Sequence, residues 1–224
     1  TERLGVVLWL EQAEKAFAPD QPRVPAGSPG GGEWAGGGGS PSGAQSPATA
    51  APARAAAPPR LALSKKATRA FNEYSEAIGF DINASLRLGE PLTHEQQNVA
   101  KTLSRVIERD GKLPEPVTAY RGLSWSHEES YQEFVATFSE GRTLQMKGFT
   151  STSLDKGFVE REFMDRPGGK VLLQITVSQG VHMTGEMTQH EGQAELLLNH
   201  NSQFKVVKVS SQKGQSVIHL EQTK

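Results

Sequence analysis

The chain has 224 residues, with 24 basic against 25 acidic side chains, a net charge of −1 and no cysteine. That balance excludes the basic footprint of a dedicated nucleic-acid or anionic-membrane binder, and the missing thiols exclude disulfide scaffolds, thiolate zinc sites and cysteine nucleophiles. Only 36% of residues are hydrophobic, low for one compact domain of this length.

The deficit is local. Residues 1–17 read as a strand or short helix at the end of an upstream region, and their apolar run Val6 to Leu10 is too short to span a membrane. No basic stretch or cleavage site makes that segment a signal peptide. A chain that opens on Thr1 reads as the C-terminal part of something longer. From 18 to 60, Ala, Gly, Pro and Ser fill 33 of 43 positions, and Val24 and Trp34 are the large apolar side chains. Such a stretch cannot bury enough surface to offset the entropy of ordering it, so the composition predicts a flexible, disordered linker. Its GGGEWAGGGG run follows no strand and opens no helix, which argues against a phosphate loop. Residues 61–224 then suffice for one folded domain, expected to be monomeric within a larger chain.

Helices come first in that domain. Ala67, Phe71, Tyr74 and Ile78 recur at helical spacing, with Ser64 as N-cap and Gly79 as stop. A short helix is expected over Asp81–Leu88, ended by Gly89. Thr93 with Gln96 forms a capping box ahead of a third helix whose apolar face is Val99, Leu103, Val106 and Ile107. Ser126 with Glu129 repeats the capping pattern before Tyr131, Phe134, Val135 and Phe138. Strands then dominate: Val117–Arg121, Phe149–Ser153, Val171–Val177, Glu195–Asn199, Phe204–Val209 and Ser216–Leu220, interrupted by a helix over Asp155–Met164. Helices followed by strands, without βαβ alternation, predict an α+β domain.

The six histidines show no metal-ligand spacing, and no G-x-S-x-G elbow marks Ser151 as a nucleophile. What remains is polar residues set at strands. AYRGL ends an apolar strand on Arg121, and an Arg there can clamp an anion with its planar fork. GFTSTSLD puts Ser151, Thr152 and Ser153 in a row, hydroxyls that cost burial free energy unless hydrogen-bonded. HEGQAELLL puts Gln193 and Glu195 two apart, on one face if both lie in a strand. Each alone also has an ordinary reading: a surface ion pair, an edge strand, a solvated face.

Together and in this order, these motifs resemble the Arg, Ser-Thr-Ser, Glu signature of the ADP-ribosyltransferase exoenzymes. FNEYSEAIGFDINASLR is similar to that family's N-terminal helices. FMDRP before KVLLQITV is similar to its phosphate–nicotinamide loop, with FVER at Phe158–Arg161 as a competing match. The resemblance implies N-terminal helices packed on a two-sheet, mostly antiparallel β core. It also implies NAD as co-substrate, cleaved between nicotinamide and ribose, with no metal. Glu195 would be the catalytic carboxylate, Ser151 would hold it, and Arg121 would bind a phosphate. The implied NAD-binding set is Asn83, Arg87, Arg121, Gly122, Thr152, Phe163 and Arg166. Gln193 stands where arginine-modifying members carry Glu, which implies an Asn, Gln or Thr acceptor on a partner protein, read by a loop over about His182–Gly192. That loop lacks the aromatic many amide-modifying members carry, with Met187 and His190 nearby. Water as acceptor, giving an NAD glycohydrolase, stays open, as does a non-catalytic virion module. The Pro/Gly-rich segment resembles those of phage head and portal proteins, so a virion-borne or a secreted protein acting in a target-cell cytoplasm is expected.

Overall fold

The computed structural model describes residues 58, 60–164, 168–188 and 191–224. The expected upstream region and all of the expected linker except Pro58 and Arg60 lie outside these residues. Pro58 is already buried, and Leu61 and Leu63 pack on the helices.

The first helix, α1 (Lys65–Glu73), is capped as expected by Ser64, whose hydroxyl accepts the Ala67 N–H. Gly79 does not stop it. A π turn over Tyr74–Ile78 leads directly into α2 (Gly79–Leu88), which ends on left-handed Gly89. The Gly79 N–H bonds to the Tyr74 carbonyl, and a Cβ at residue 79 would overlap that same oxygen. Glycine is thus required inside the helical run because the widened turn brings backbone against backbone. Helix α3 (His94–Asp110) carries the full Thr93/Gln96 capping box and buries all four expected apolar positions.

Strand β1 (Lys112–Trp125) runs past both ends of its expected stretch: a bulge between Lys112 and Val117 accommodates Pro114 and Pro116, and pairing continues to Trp125, so Arg121 lies inside the strand and does not end it. Helix α4 (Glu128–Ala136) begins after His127 without a side-chain cap, so the Ser126/Glu129 box does not form. Phe134 and Phe138 are nonetheless buried. After β2 (Thr143–Met146) and β3 (Thr150–Ser153), α5 (Lys156–Phe163) is capped by Asp155. The rest is β4 (Gly169–Gln179), β5 (Val181–His182), two single 3-10 turns at Gly185–Met187 and Glu191–Gln193, β6 (Glu195–Leu198), β7 (Ser202–Gln212) and β8 (Gln215–Gln222).

The strands run β2-β7-β8-β4-β1-β3-β6-β5, all antiparallel except β4 with β8. Five strands and three strands are joined by one register pair, Tyr120 opposite Ser153. Leu196 and Leu198 of β6 share a buried cluster with Ala119, Ile175 and Ile218 of the five-strand half. The two halves therefore enclose a common core, as the two-sheet expectation required. Helices α1–α3 cover the outer face of the three-strand half, where Leu197 and Phe149 meet Phe71, Leu103 and Ile107. Helix α5 covers the outer face of the other half through Val159 and Met164 on Leu172 and Val217. Among the described residues, no helix is long and apolar enough to cross a membrane.

Candidate functional site

Where β1 and β3 part, side chains from three layers meet. Arg121 of β1 donates from Nη1 to the Ser151 carbonyl at 3.0 Å. Burial pulls the guanidinium's pKa down, and the neighbouring Tyr74 and Glu195 pull it back up. It stays a cation, since no protein environment deprotonates arginine. Glu195 opens β6 opposite Ser153 and is partly exposed. Burial pushes its carboxyl above the usual range, opposed by the Ser151 hydroxyl and the Arg121 charge.

A row of polar side chains reaches Glu195 from the helices. The Phe149 N–H donates to Asn83 Oδ1 at 2.8 Å, which fixes the amide's orientation. Asn83 Nδ2 then donates to the Tyr74 hydroxyl at 2.8 Å. The Tyr74 phenol and the Glu195 carboxyl both lie beside the Ser151 hydroxyl, close enough that it lowers the pKa of each. An ionised carboxylate only accepts, so a Ser151 hydroxyl turned to Glu195 can donate to it and accept from Tyr74. The donors are ordered one way, from the Asn83 amide to the phenol and on towards the Ser151 hydroxyl and the carboxylate. Burial and the Glu195 charge push the Tyr74 phenol well above its usual pKa, which keeps it a donor. The Phe149 ring also meets the Tyr74 ring edge-on at 5.5 Å.

The π turn lies between the two helical members of this row. Tyr74 and Asn83 are nine residues apart, which on a regular helix is about 180° out of register. One extra residue in a turn makes the offset that of eight, about 80°, which brings Asn83 nearer the side of the helix that Tyr74 occupies.

The other expected residues divide. Arg87 lies one turn beyond Asn83, and a Cβ on Gly148 would come 3.3 Å from its Nε and 2.9 Å from Asn83 Oδ1. Both Asn83 groups are engaged within the protein, so the amide supports the site as an anchor. Gly122 faces α5, where a Cβ would crowd Met164 Cγ at 2.8 Å and Val159 Cγ1 at 2.9 Å. Phe163 sits at the end of that helix, edge-on to Phe158 at 5.8 Å. Thr152 is not part of the cluster: it alternates to the opposite face, is buried, and donates to the Leu196 carbonyl at 2.7 Å. Arg166 and His190 lie outside the described residues. Met187 of the expected acceptor loop is buried in the helical cluster, and Thr188 bonds to Ser75 at 3.3 Å.

Gln193 and Glu195 do not share a strand. Gln193 ends a 3-10 turn, β6 starts at Glu195, and Ala194 between them has φ 45°. The alternation expected for Gln-x-Glu therefore does not apply. One residue beside Ser151, Tyr74, carries no site role in the sequence reading. Tyr74 was legible as helix core, and its signal was a hydroxyl on a buried stripe that must find a partner. Ser153, expected as one of three hydroxyls in a row, supports the turn before Glu195: it is buried, and its Oγ donates to the Gln193 carbonyl at 2.6 Å. Among the described residues, no group of three His, Asp or Glu side chains is placed to hold a metal.

The family model that matches is ADP-ribosyltransferase exoenzyme, over residues 54–224. Exoenzyme S from Pseudomonas aeruginosa, solved with human 14-3-3 protein beta and bound to carba-NAD, is similar in fold, with TM-score 0.60, 22% identity, and 71% of this chain and 74% of that chain covered. C3stau2 from S. aureus, solved with NAD, gives TM-score 0.59, 21% identity and coverage of 73% and 89%. Vis toxin from Vibrio splendidus gives 0.54, 21%, and 72% and 74%. No curated protein matches the sequence.

Proposed function

This chain belongs to the ADP-ribosyltransferase exoenzyme family, and from that we propose that it cleaves NAD and passes ADP-ribose to a protein side chain, releasing nicotinamide. The observation that carries the reading is Glu195, held by Ser151 beside the Arg121 cation at the parting of the sheets. The glycosidic bond of NAD breaks with its electron pair leaving on nicotinamide, so the ribose passes through an oxocarbenium-like cation. The acceptor's lone pair then bonds to the anomeric carbon, and the acceptor proton leaves to solvent. Such chemistry needs a fixed negative charge and good orientation more than proton transfer. Glu195 supplies that charge and takes the hydrogen bond of the ribose 2′-hydroxyl. Arg121 and Arg87 supply positive charge for the pyrophosphate, and the Gly122 backbone lies within reach of nicotinamide. Phe163 flanks the same end of α5.

Gln193 directs the acceptor. An amide side chain hydrogen-bonds an Asn, Gln or Thr acceptor, and lacks the carboxylate that pairs with a guanidinium. Gln193→Ala is expected to lower protein labelling far more than nicotinamide release. Equal loss of both, with a lower melting temperature, would mark the residue as structural.

Tyr74→Phe removes the link between Asn83 and Ser151 while keeping the ring. One hydrogen bond of about 1–1.5 kcal/mol corresponds to roughly tenfold in kcat. KM for NAD is expected to change little, since the phenol orients Ser151 and does not itself bind substrate. Steady-state nicotinamide release reads both parameters.

The deciding test is incubation with labelled NAD and bacterial and eukaryotic lysates, followed by mass spectrometry of labelled peptides. Nicotinamide release together with label on Asn, Gln or Thr supports the reading. Nicotinamide without any labelled protein leaves water as the acceptor, and neither product refutes the proposed activity.

A further inference from the structure

Ser153 sits at the join of the two sheet halves. Its backbone pairs with Tyr120 of β1 on one side and with Glu195 of β6 on the other. The side chain is buried, and its hydroxyl donates to the Gln193 carbonyl at 2.6 Å while accepting the Asp155 N–H at 3.0 Å. The next residue, Leu154, donates its N–H to the Ala194 carbonyl at 3.0 Å. Two consecutive carbonyls are thereby gripped from residues 153 and 154. The backbone they flank is strained, because Ala194 at φ 45° occupies the left-handed region that side-chain-bearing residues avoid. Such a conformation persists only where its surroundings impose it. Asp155 in turn caps α5 by accepting the Phe158 N–H at 3.0 Å, so one hydroxyl ties the start of α5 to the turn before Glu195.

We propose that Ser153 is a positioning residue that sets the Gln193–Ala194 turn and thereby fixes how ADP-ribose divides between a protein acceptor and water. This rests on the NAD-cleaving reading above and assigns the acceptor selectivity of that same site. Ser151 holds Glu195, whereas Ser153 holds the backbone of Gln193, two residues along the same strand face. Bond cleavage depends on the first hydroxyl, and acceptor alignment on the second. Water needs no alignment by Gln193, so a relaxed turn diverts the cation to hydrolysis.

The test uses the full chain with Ser153→Ala, Ser153→Thr, Ala194→Gly and the double variant Ser153→Ala/Ala194→Gly. Labelled NAD is incubated with bacterial and eukaryotic lysates, and nicotinamide release and protein label are read from the same tube. Amide hydrogen exchange over residues 191–196 is measured without NAD. Ser153→Ala should lower the ratio of label to nicotinamide by about tenfold, with nicotinamide release within about twofold of wild type. Exchange across the turn should quicken. Ser153→Thr restores the hydroxyl and should recover the ratio. Ala194→Gly in the Ser153→Ala background should recover part of it, because glycine adopts the left-handed turn without a clamp. An unchanged ratio in Ser153→Ala overturns the proposal. So does an equal fall of both products that Thr does not rescue. A wild-type protein giving neither product overturns the NAD reading and the partition role with it, while the exchange data report separately on the clamp.

Discussion

Glu195→Gln is expected to lower nicotinamide release and protein labelling together by at least about 10²–10³-fold, the usual cost of removing one preorganised electrostatic partner. The change is nearly isosteric, so Ser151 keeps an oxygen to bond and the cleft keeps its shape. Stability should move the other way. Burial raises the Glu195 pKa in the fold, and a carboxyl whose folded pKa exceeds its unfolded value penalises the fold wherever it is ionised. The penalty is fully present above the raised folded value and vanishes below the unfolded one, about pH 4. Glutamine removes it, so the variant should melt higher than wild type at neutral pH, with the difference shrinking as pH falls towards 4. Differential scanning calorimetry at both pH values, beside a nicotinamide assay, checks the pair of effects. Near-normal nicotinamide release would remove Glu195 from the chemistry. A variant that melts lower at neutral pH would mean that its ion pairing outweighs its burial.

Gly79→Ala carries the second large effect. The added methyl overlaps the Tyr74 carbonyl oxygen, a backbone atom that cannot step aside as a flexible side chain would. Relief requires either shifting the helices apart or collapsing the π turn to a regular one. Strain of this kind costs about 1–3 kcal/mol, which is about 2–4 °C of melting temperature per kcal/mol for a domain of this size. The catalytic loss should exceed what unfolding explains. A regular turn rotates Asn83 away from Tyr74, and with it goes the ordered chain to Ser151. At a temperature where the variant is fully folded, nicotinamide release should still be reduced by at least the tenfold expected of Tyr74→Phe. A Gly79→Ala protein with wild-type melting and turnover would show the π turn to be dispensable.

The elements legible in the sequence are those whose signals are local. The Thr93/Gln96 box and the four apolar residues after it specify α3 within a few turns of chain, and the apolar runs of β4 and β7 specify buried strands in the same way. Gly79 shows where such signals mislead. A glycine after a helical stripe looks like a terminus, and nothing in the local pattern reveals that a carbonyl five residues back needs the space. Ser126 with Glu129 matches a cap by spacing, yet α4 starts without using it. Strand β5 offers too few residues to show a period, and β2 alternates over only four without a β-branched apolar residue; both form by pairing with distant strands, β6 and β7. Arg121, Ser151 and Glu195, expected from the sequence, lie together in the structure. The long-range partners were not found, since no spacing rule relates Tyr74 to Ser151 or Ser153 to Gln193. Thr152 was grouped with the site because it adjoins Ser151, and strand alternation sends it to the other face.

The position of β8 bears on how this protein is made. It is the last described strand in the chain, yet it lies inside the sheet between β7 and β4 and runs parallel to β4, with Ser216 opposite Val171. While a ribosome is still translating the residues between them, the edge of β4 that β8 will occupy has no partner. Unpaired edges on an apolar strand invite pairing with other nascent chains. The five-strand half can close only after residue 222 has emerged, so a transcript cut short before β8 yields an open, aggregation-prone sheet in place of a smaller folded domain.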